Sequence, residues 1–257
     1  MRTARTTQEL RLALRAGRTG LVPTMGAFHD GHLSLMRAAR AECDIVVVSL
    51  FVNPTQFGSH DDLAHYPRDE ERDVRLAADA GVDVLFAPSA EVMYPDGFAT
   101  WVDVEETGGE ASARPGHFRG VATVCLKLFN LVRPDVAFFG QKDAQQVAVL
   151  RRMVNDLNVG VHVRVLPTVR DADGLALSSR NAYLSAAERE RALALPHALE
   201  AGRSASDPVA ATRAALNGLE PEYVELLRVG DATLLTAAAR VGSTRLIDNI
   251  VLEGELA

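Results

Sequence analysis

Four short segments carry most of the residues able to do chemistry. The first, PTMGAFHDGH (Pro23–His32), sets two histidines three residues apart behind a glycine-containing turn. At the start of a helix that spacing brings His29 and His32 about one turn apart, near the positive end of the helix dipole. Free backbone N–H groups and two imidazoles there suit a phosphate, and Gly26 lets a nucleotide approach the backbone closely. The plainer alternative is a polar helix start with Asp30 as its cap. In the second segment, FVNPTQF (Phe51–Phe57), the neutral amides of Asn53 and Gln56 can read hydroxyls and carboxylates without bringing charge into a pocket. An Asn-Pro turn with no further task is the competing reading.

The third segment is FFGQKDAQQ (Phe138–Gln146). Among 27 basic side chains only Lys127 and Lys142 are lysines. A lysine kept behind a strand and a glycine has a specific task, and a compact ammonium on a long stem suits phosphate oxygens. Asp143 either orients Lys142 or caps the next helix, and capping is the expectation. Gln146 lies one helical turn beyond Lys142, facing the same cleft. Lys127, inside an apolar run, reads as structural. The fourth segment, LSSRN (Leu177–Asn181), offers two hydroxyls and a guanidinium that can fold over a triphosphate; alone, it reads equally as a polar hinge.

Strands and helices must position these segments. GLVPT (Gly20–Thr24) reads as a strand, followed by a turn and a helix over His32–Cys43. DIVVVSLFV (Asp44–Val52) is β-branched and apolar nearly throughout, as in a strand covered on both faces. A charged helix over Pro67–Ala80 stops at Gly81, and strand Val82–Pro88 follows. Gly120–Val132 reads as a core helix. Strand Asp135–Gly140, helix Ala144–Asn155 and strand Val161–Val169 come next. This alternation describes an α/β fold, a doubly wound parallel sheet with ligands at the carboxyl ends of its strands.

Past Val169 the character changes, and the domain boundary falls near Asp171–Leu177: residues 1–173 form the large domain and residues 174–257 a smaller α+β unit. Ser185 to Glu188 has capping-box form and opens an Ala- and Leu-rich helix. Gly202–Pro208 is a loop, Pro208–Leu219 a helix, and strands lie at Glu222–Arg228, near Val241 and at Arg245–Glu253. The N-terminal Leu10, Leu12, Ala13 and Leu14 fit an amphipathic helix rather than a targeting peptide. A net charge of −7 argues against a nucleic-acid partner. The most apolar run, Ile45–Val52, is far below the ~20 residues that span a membrane. Cys43 and Cys125 lack metal-ligand spacing and read as packing residues in a reducing compartment, the cytoplasm.

Together the segments PTMGAFHDGH, SLFVNPTQF, DLAHYPR, RPGHFRGV, FFGQKDAQQ, PTVRDADGLALSSRNAYLS and TRLIDNI resemble the pantothenate synthetase family through nearly the whole chain. The H-x-G-H element alone also marks the wider nucleotidylyltransferase and aminoacyl-tRNA synthetase group, where SSRN resembles a KMSKS-like signature. The resemblance implies a Rossmann-like fold of HxGH type. The implied reaction has ATP adenylate the pantoate carboxylate, with pyrophosphate released, after which the β-alanine amine takes the acyl group and frees AMP.

Carried over by residue, the resemblance puts Met25, Gly26, Ala27, Phe28, His29, Asp30, Gly31 and His32 around ATP. Gly140, Gln141, Lys142, Asp143, Val169, Leu177, Ser178, Ser179 and Arg180 join them. His32 is the proton donor, with His29, Lys142 and Arg180 also catalytic. Gln56 holds pantoate and later β-alanine, and Gln146 and Asn53 help hold the substrate. A helix dipole lowers an imidazole pKa and bound phosphate raises it; beside a triphosphate the second effect is expected to win at His32. Mg²⁺ is implied as the companion of ATP phosphates, with no metal cage of protein ligands, and a homodimer is implied as the assembly. Gln141 departs from the family's usual Glu and Ala144 from its usual aromatic, and the C-terminal unit reads as short. Two rivals stay open: a nucleotidylyltransferase that keeps the adenylate as product, and a nucleotide binder without catalysis.

Overall fold

The computed structural model describes residues 1–58, 63–64 and 66–256. Six parallel strands form one sheet: β1 (Arg2–Ala4), β2 (Thr19–Thr24), β3 (Ile45–Leu50), β4 (Val84–Phe86), β5 (Val136–Gly140) and β6 (His162–Leu166), in the order β1-β4-β3-β2-β5-β6. Alternate residues of each strand go to opposite faces. Leu21, Ile45, Val47, Val84, Phe86, Ala137 and Phe139 pack against helices His117–Val132 and Ala144–Asp156. Val22, Val46, Val48, Leu85, Val136 and Phe138 pack against helices Asp30–Glu42 and Glu70–Asp79. Both faces are therefore covered, which is why β3 has no polar stripe.

The chain winds outward from β2 through β3 to β4, then returns across the sheet to β5 on the other side of β2. That reversal makes the gap between the carboxyl ends of β2 and β5 the topological switch point, where ligands of such sheets bind.

A second, antiparallel sheet has the order β7 (Glu220–Val229), β8 (Ala232–Val241), β9 (Thr244–Glu253). Helices Ala186–Ala192, Ala194–Arg203 and Pro208–Ala215 cover its face. The capping box forms as read: Ser185 Oγ accepts from Glu188 N–H at 3.3 Å, and Glu188 Oε2 accepts from Ser185 N–H at 2.9 Å. Val229, Ala232 and Leu234 of this sheet join the core of the parallel sheet.

Two expectations are corrected, and one strand that the sequence did not suggest is added. ATLLTAAARV (Ala232–Val241) is a ten-residue strand, not a short one near Val241, because β7 and β9 pair with it on both edges. Arg2–Ala4 is an edge strand on β4 that precedes the N-terminal helix Thr7–Ala13. In that helix Leu10 is buried, but Leu12 is 73% exposed and forms no part of an apolar face. Both cysteines are buried free thiols.

Candidate active site

The histidine turn is built by its neighbours in the sheet. At the end of β2, Thr24 donates its N–H to Ser49 Oγ (3.1 Å) and its hydroxyl to the Ser49 carbonyl (2.5 Å), which pins the exit of the chain to β3. Gly26 (φ +88°) and Ala27 (φ +52°) then turn through the left-handed region, which costs a non-glycine residue energy. The carboxylate of Asp73, itself buried, accepts the N–H groups of Ala27 and Phe28, both at 2.8 Å, and Arg72 donates to the Phe28 carbonyl at 2.9 Å. Helix Glu70–Asp79 thus clamps the strained turn, while the Phe28 side chain plugs the core.

The helix opened by this turn is capped by His29, not by Asp30, which sits exposed at its first position. His29 Nδ1 accepts from Gly31 N–H at 3.1 Å, and His32 Nδ1 accepts from His29 N–H at 3.4 Å, a capping box made of two imidazoles. A Cβ on residue 31 would lie 2.8 Å from His29 Cε1, so the ring can fold back only over a glycine. Because each Nδ1 accepts a backbone N–H, the neutral rings carry their proton on Nε2. The ring centroids are 4.1 Å apart. Burial, then the charge of Lys142, lowers His29 to about 4; burial, then His29 and Lys142, lowers His32 to about 3. Both stand as neutral Nε2–H donors.

The amide segment leaves β3. Asn53 is buried with its side chain fully engaged: Oδ1 accepts from Thr55 Oγ1 (2.9 Å) and Tyr94 Oη (2.8 Å), and Nδ2 donates to Gln56 Oε1 (3.1 Å) and the Gly120 carbonyl (3.2 Å). Asn53 thereby holds Gln56 by its oxygen. A side chain on Gly120 would collide with the Thr55 backbone, so this crossing also needs glycine. From β5, the turn Gln141–Asp143 carries Lys142, whose Nζ lies 3.6 Å from Asp143 Oδ1. Asp143 makes no side-chain cap bond to helix Ala144–Asp156; it pairs with the lysine instead, correcting the capping expectation. After β6, Arg170 and Ala176 form a bridge and Leu177 N–H donates to Val169 O at 3.0 Å. The Ser178 hydroxyl then accepts from Arg180 N–H at 3.2 Å. Lys127 lies in the core helix with its ammonium 4.7 Å from the Phe98 ring centroid.

The four segments meet around one cavity of about 220 Å³. Met25, His29, Gly31, His32, Asn53, Gln56, Gly140, Lys142, Asp143, Gln146, Val169, Leu177, Ser178, Ser179 and Arg180 all line it. A neighbouring cavity of about 630 Å³ between the two sheets shares Lys142, Asp143, Gln146, Ser178 and Arg180. Five of the expected residues do not line the first cavity. Gly26 and Ala27 back a separate cavity of about 410 Å³, Phe28 points into the core, Asp30 is exposed, and the Gln141 side chain turns to Asn249 of β9 at 3.1 Å.

Arg114 and His117 received no role from the sequence, yet they line both cavities. His117 Nδ1 lies 2.9 Å from the Gln56 carbonyl, and Arg114 donates to the same oxygen at 3.4 Å. Burial, then Arg114, lowers His117 to about 4. Their signal was the segment RPGHFRGV, a cation and an imidazole at a turn before an apolar helix. Of DLAHYPR, Asp62 and His65 lie outside the described residues; Tyr66 faces the first cavity beside Ser179.

A doubly wound sheet with two donor imidazoles at a helix N-terminus, and a lysine and an arginine across its switch point, defines an enzyme class: nucleotide-dependent enzymes of the HxGH type. Comparison with known proteins narrows the class. The family model described as Pantoate-beta-alanine ligase matches residues 1–251. A pantothenate synthetase of Heliobacterium modesticaldum is 55% identical, with 93% of this chain and 93% of the relative covered. The crystal structure of the Thermus thermophilus pantothenate synthetase superposes with a TM-score of 0.95 at 46% identity, covering 99% of this chain and 100% of that one. The Francisella tularensis pantoate-beta-alanine ligase, solved in complex with beta-gamma ATP and beta-alanine, superposes with a TM-score of 0.86 at 35% identity over 99% of both chains. The chain belongs to the Pantoate-beta-alanine ligase family. It is an enzyme that ligates pantoate to β-alanine, and neither rival reading stands. A C-terminal unit of this length is shared with the Thermus chain, which is covered in full.

Proposed function

We propose that the condensation runs on ATP in two half-reactions at the carboxyl end of the parallel sheet. The pantoate carboxylate attacks the α-phosphorus of ATP, forming pantoyl-adenylate and releasing pyrophosphate. The β-alanine amine then attacks the acyl carbon, and AMP leaves as pantothenate forms. The observation that carries this reading is the convergence of both histidines, Lys142, Gln56, Gln146 and Arg180 on one cavity at the switch point.

In this scheme the turn Met25–His32 receives the triphosphate, with Asp30 at the positive helix end. Ala27 and Phe28 shape the turn from behind through their bonds to Asp73 and Arg72, and Gly26 through its left-handed backbone. His32, neutral by burial, donates Nε2–H to oxygen charge that grows in the transition state, and bound phosphate opposes the effect of burial by favouring the imidazolium, a charged donor. His29 assists as a second donor. Lys142 follows the phosphoryl oxygens as a point charge, and Arg180, with Ser178 and Ser179, covers them from the other side. Gly140, Gln141, Asp143, Val169 and Leu177 frame the nucleotide. Gln56, oriented by Asn53, and Gln146 hold pantoate, and Gln56 later holds β-alanine. Mg²⁺ enters with the ATP phosphates as part of the substrate; among the described residues no three His, Cys, Asp or Glu side chains converge to hold a metal.

Residues 1–173 act as the nucleotide and pantoate domain and residues 174–257 as its lid. The enzyme works as a homodimer in the cytoplasm. Supporting the dimer, Trp101–Glu106 alternates exposed and half-buried residues without pairing to any strand among the described residues. No helix among the described residues is long and apolar enough to cross a membrane.

The test measures pyrophosphate and AMP with ATP and pantoate, with and without β-alanine. One equivalent of pyrophosphate per site should appear rapidly without β-alanine, and AMP should require β-alanine. AMP release that ignores β-alanine, or an adenylate that β-alanine cannot discharge, overturns the scheme.

A further inference from the structure

The lysine turn is held from outside its own sheet. Asn249 stands on β9 and is 2% exposed. Its Nδ2 donates to two successive carbonyls, Gln141 O and Lys142 O, both at 2.9 Å. Its Oδ1 accepts from Gln141 Nε2 at 3.1 Å, so Gln141 is held twice, once by its backbone carbonyl and once by its side-chain amide. The N–H of Asn249 is donated to Asp248 Oδ1 at 2.8 Å. Asp248, also buried, forms a two-pronged ion pair with Arg170 at 2.7 and 3.0 Å, and Arg170 donates on to Gly174 O at 3.1 Å. One dipeptide of the antiparallel sheet therefore grips the turn that carries Lys142 and the hairpin that leads into Leu177–Arg180.

The chemistry of the grip is specific. Both amide hydrogens of Asn249 are spent on backbone oxygens of a three-residue turn, which fixes the plane of the peptides on either side of the Lys142 Cα. A carboxylate at 249 would face those oxygens with no hydrogen to give, and an apolar residue would leave two buried carbonyls unpaired. The Lys142 side chain is 17% exposed and swings from this turn over the cavity, so a small rotation of the turn moves its ammonium by more than the rotation moves the backbone.

We propose that Asn249 is a positioning residue for Lys142: the antiparallel sheet, and not the strand that precedes the lysine, sets where the ammonium sits. The inference rests on the catalytic reading of Lys142 given above. A misplacement on the scale of 1 Å costs about 10²-fold in rate, so Asn249→Ala should lower kcat by about that factor while the KM for pantoate stays within about threefold. Combined with Lys142→Ala it should add almost nothing, because a group that acts only through the lysine has nothing left to act on.

The chain's two lysines give a second measurement that is independent of turnover. In protein labelled with ¹³Cε-lysine, Asn249→Ala should shift or broaden the Lys142 signal and leave that of Lys127, seated against Phe98, unchanged. If Asn249→Ala does not fold, Asn249→Ser, which keeps one donor, takes its place in both experiments. A double variant whose losses multiply, or a Lys142 signal that does not move, overturns the inference. Normal turnover by Lys142→Ala alone would instead remove the catalytic reading, which keeps the two failures distinct.

Discussion

Stability between pH 8 and pH 5.5 offers a direct measure of how the site is built. His29, His32 and His117 are held by burial at about 4, about 3 and about 4, whereas in an unfolded chain each titrates near 6.5. The sign follows from proton counts: below 6.5 the unfolded chain takes up protons that the folded chain refuses. Their contribution is therefore complete above about pH 6.5 and is lost as the pH falls toward the folded values. At pH 5.5 each unfolded imidazole is about 90% protonated, which is worth about 1.4 kcal/mol, so the three together remove about 4 kcal/mol. Asp73 and Glu106, raised by burial, work the other way and blunt the fall at its acid end. Urea unfolding across this range should show the loss, with a slope near pH 5.5 of roughly three protons. His117→Gln should reduce that slope by about one proton. A stability that changes by less than about 1 kcal/mol over the window would falsify the picture of three neutral, desolvated imidazoles.

Four further outcomes follow from the site. His32→Ala should slow pantoyl-adenylate formation by about 10²–10³-fold and spare the attack of β-alanine on preformed adenylate; rapid quench separates the two, and a variant stalled only at amide formation assigns the donor elsewhere. Lys142→Ala should lose about a hundredfold or more in adenylation with the fold intact, as judged by single-turnover pyrophosphate release and thermal melting. Gln56→Ala and Gln146→Ala should raise the KM for pantoate more than that for ATP; the reverse pattern in steady-state kinetics removes them from pantoate binding. Asp73→Asn keeps one acceptor for two N–H groups and should cost about 1–3 kcal/mol of stability, with weaker ATP binding by calorimetry; an unchanged melting point and affinity show that the histidine turn holds itself.

What the sequence determined is local in origin. The apolar run of β3 can be covered only by helices on both faces, the Ser185–Glu188 box starts a helix wherever it stands, and the chemical residues follow strand ends within a few positions. Those strand ends share one edge of a parallel sheet, so the meeting of His29, His32, Gln56, Lys142 and Arg180 was legible before any coordinate. Tertiary structure decided what depends on partners distant in the chain. The Ala-rich segment Ala232–Val241 becomes a long strand only because β7 and β9 flank it. Asp143 faces its lysine rather than the helix end, and the imidazoles fall to about 3 and 4 because packing desolvates them, an effect that no spacing encodes. Asn249 reaches the Lys142 carbonyl across 107 residues of sequence. A hydrogen bond over such a separation exists only once two sheets have docked, and periodicity along the chain carries no trace of it.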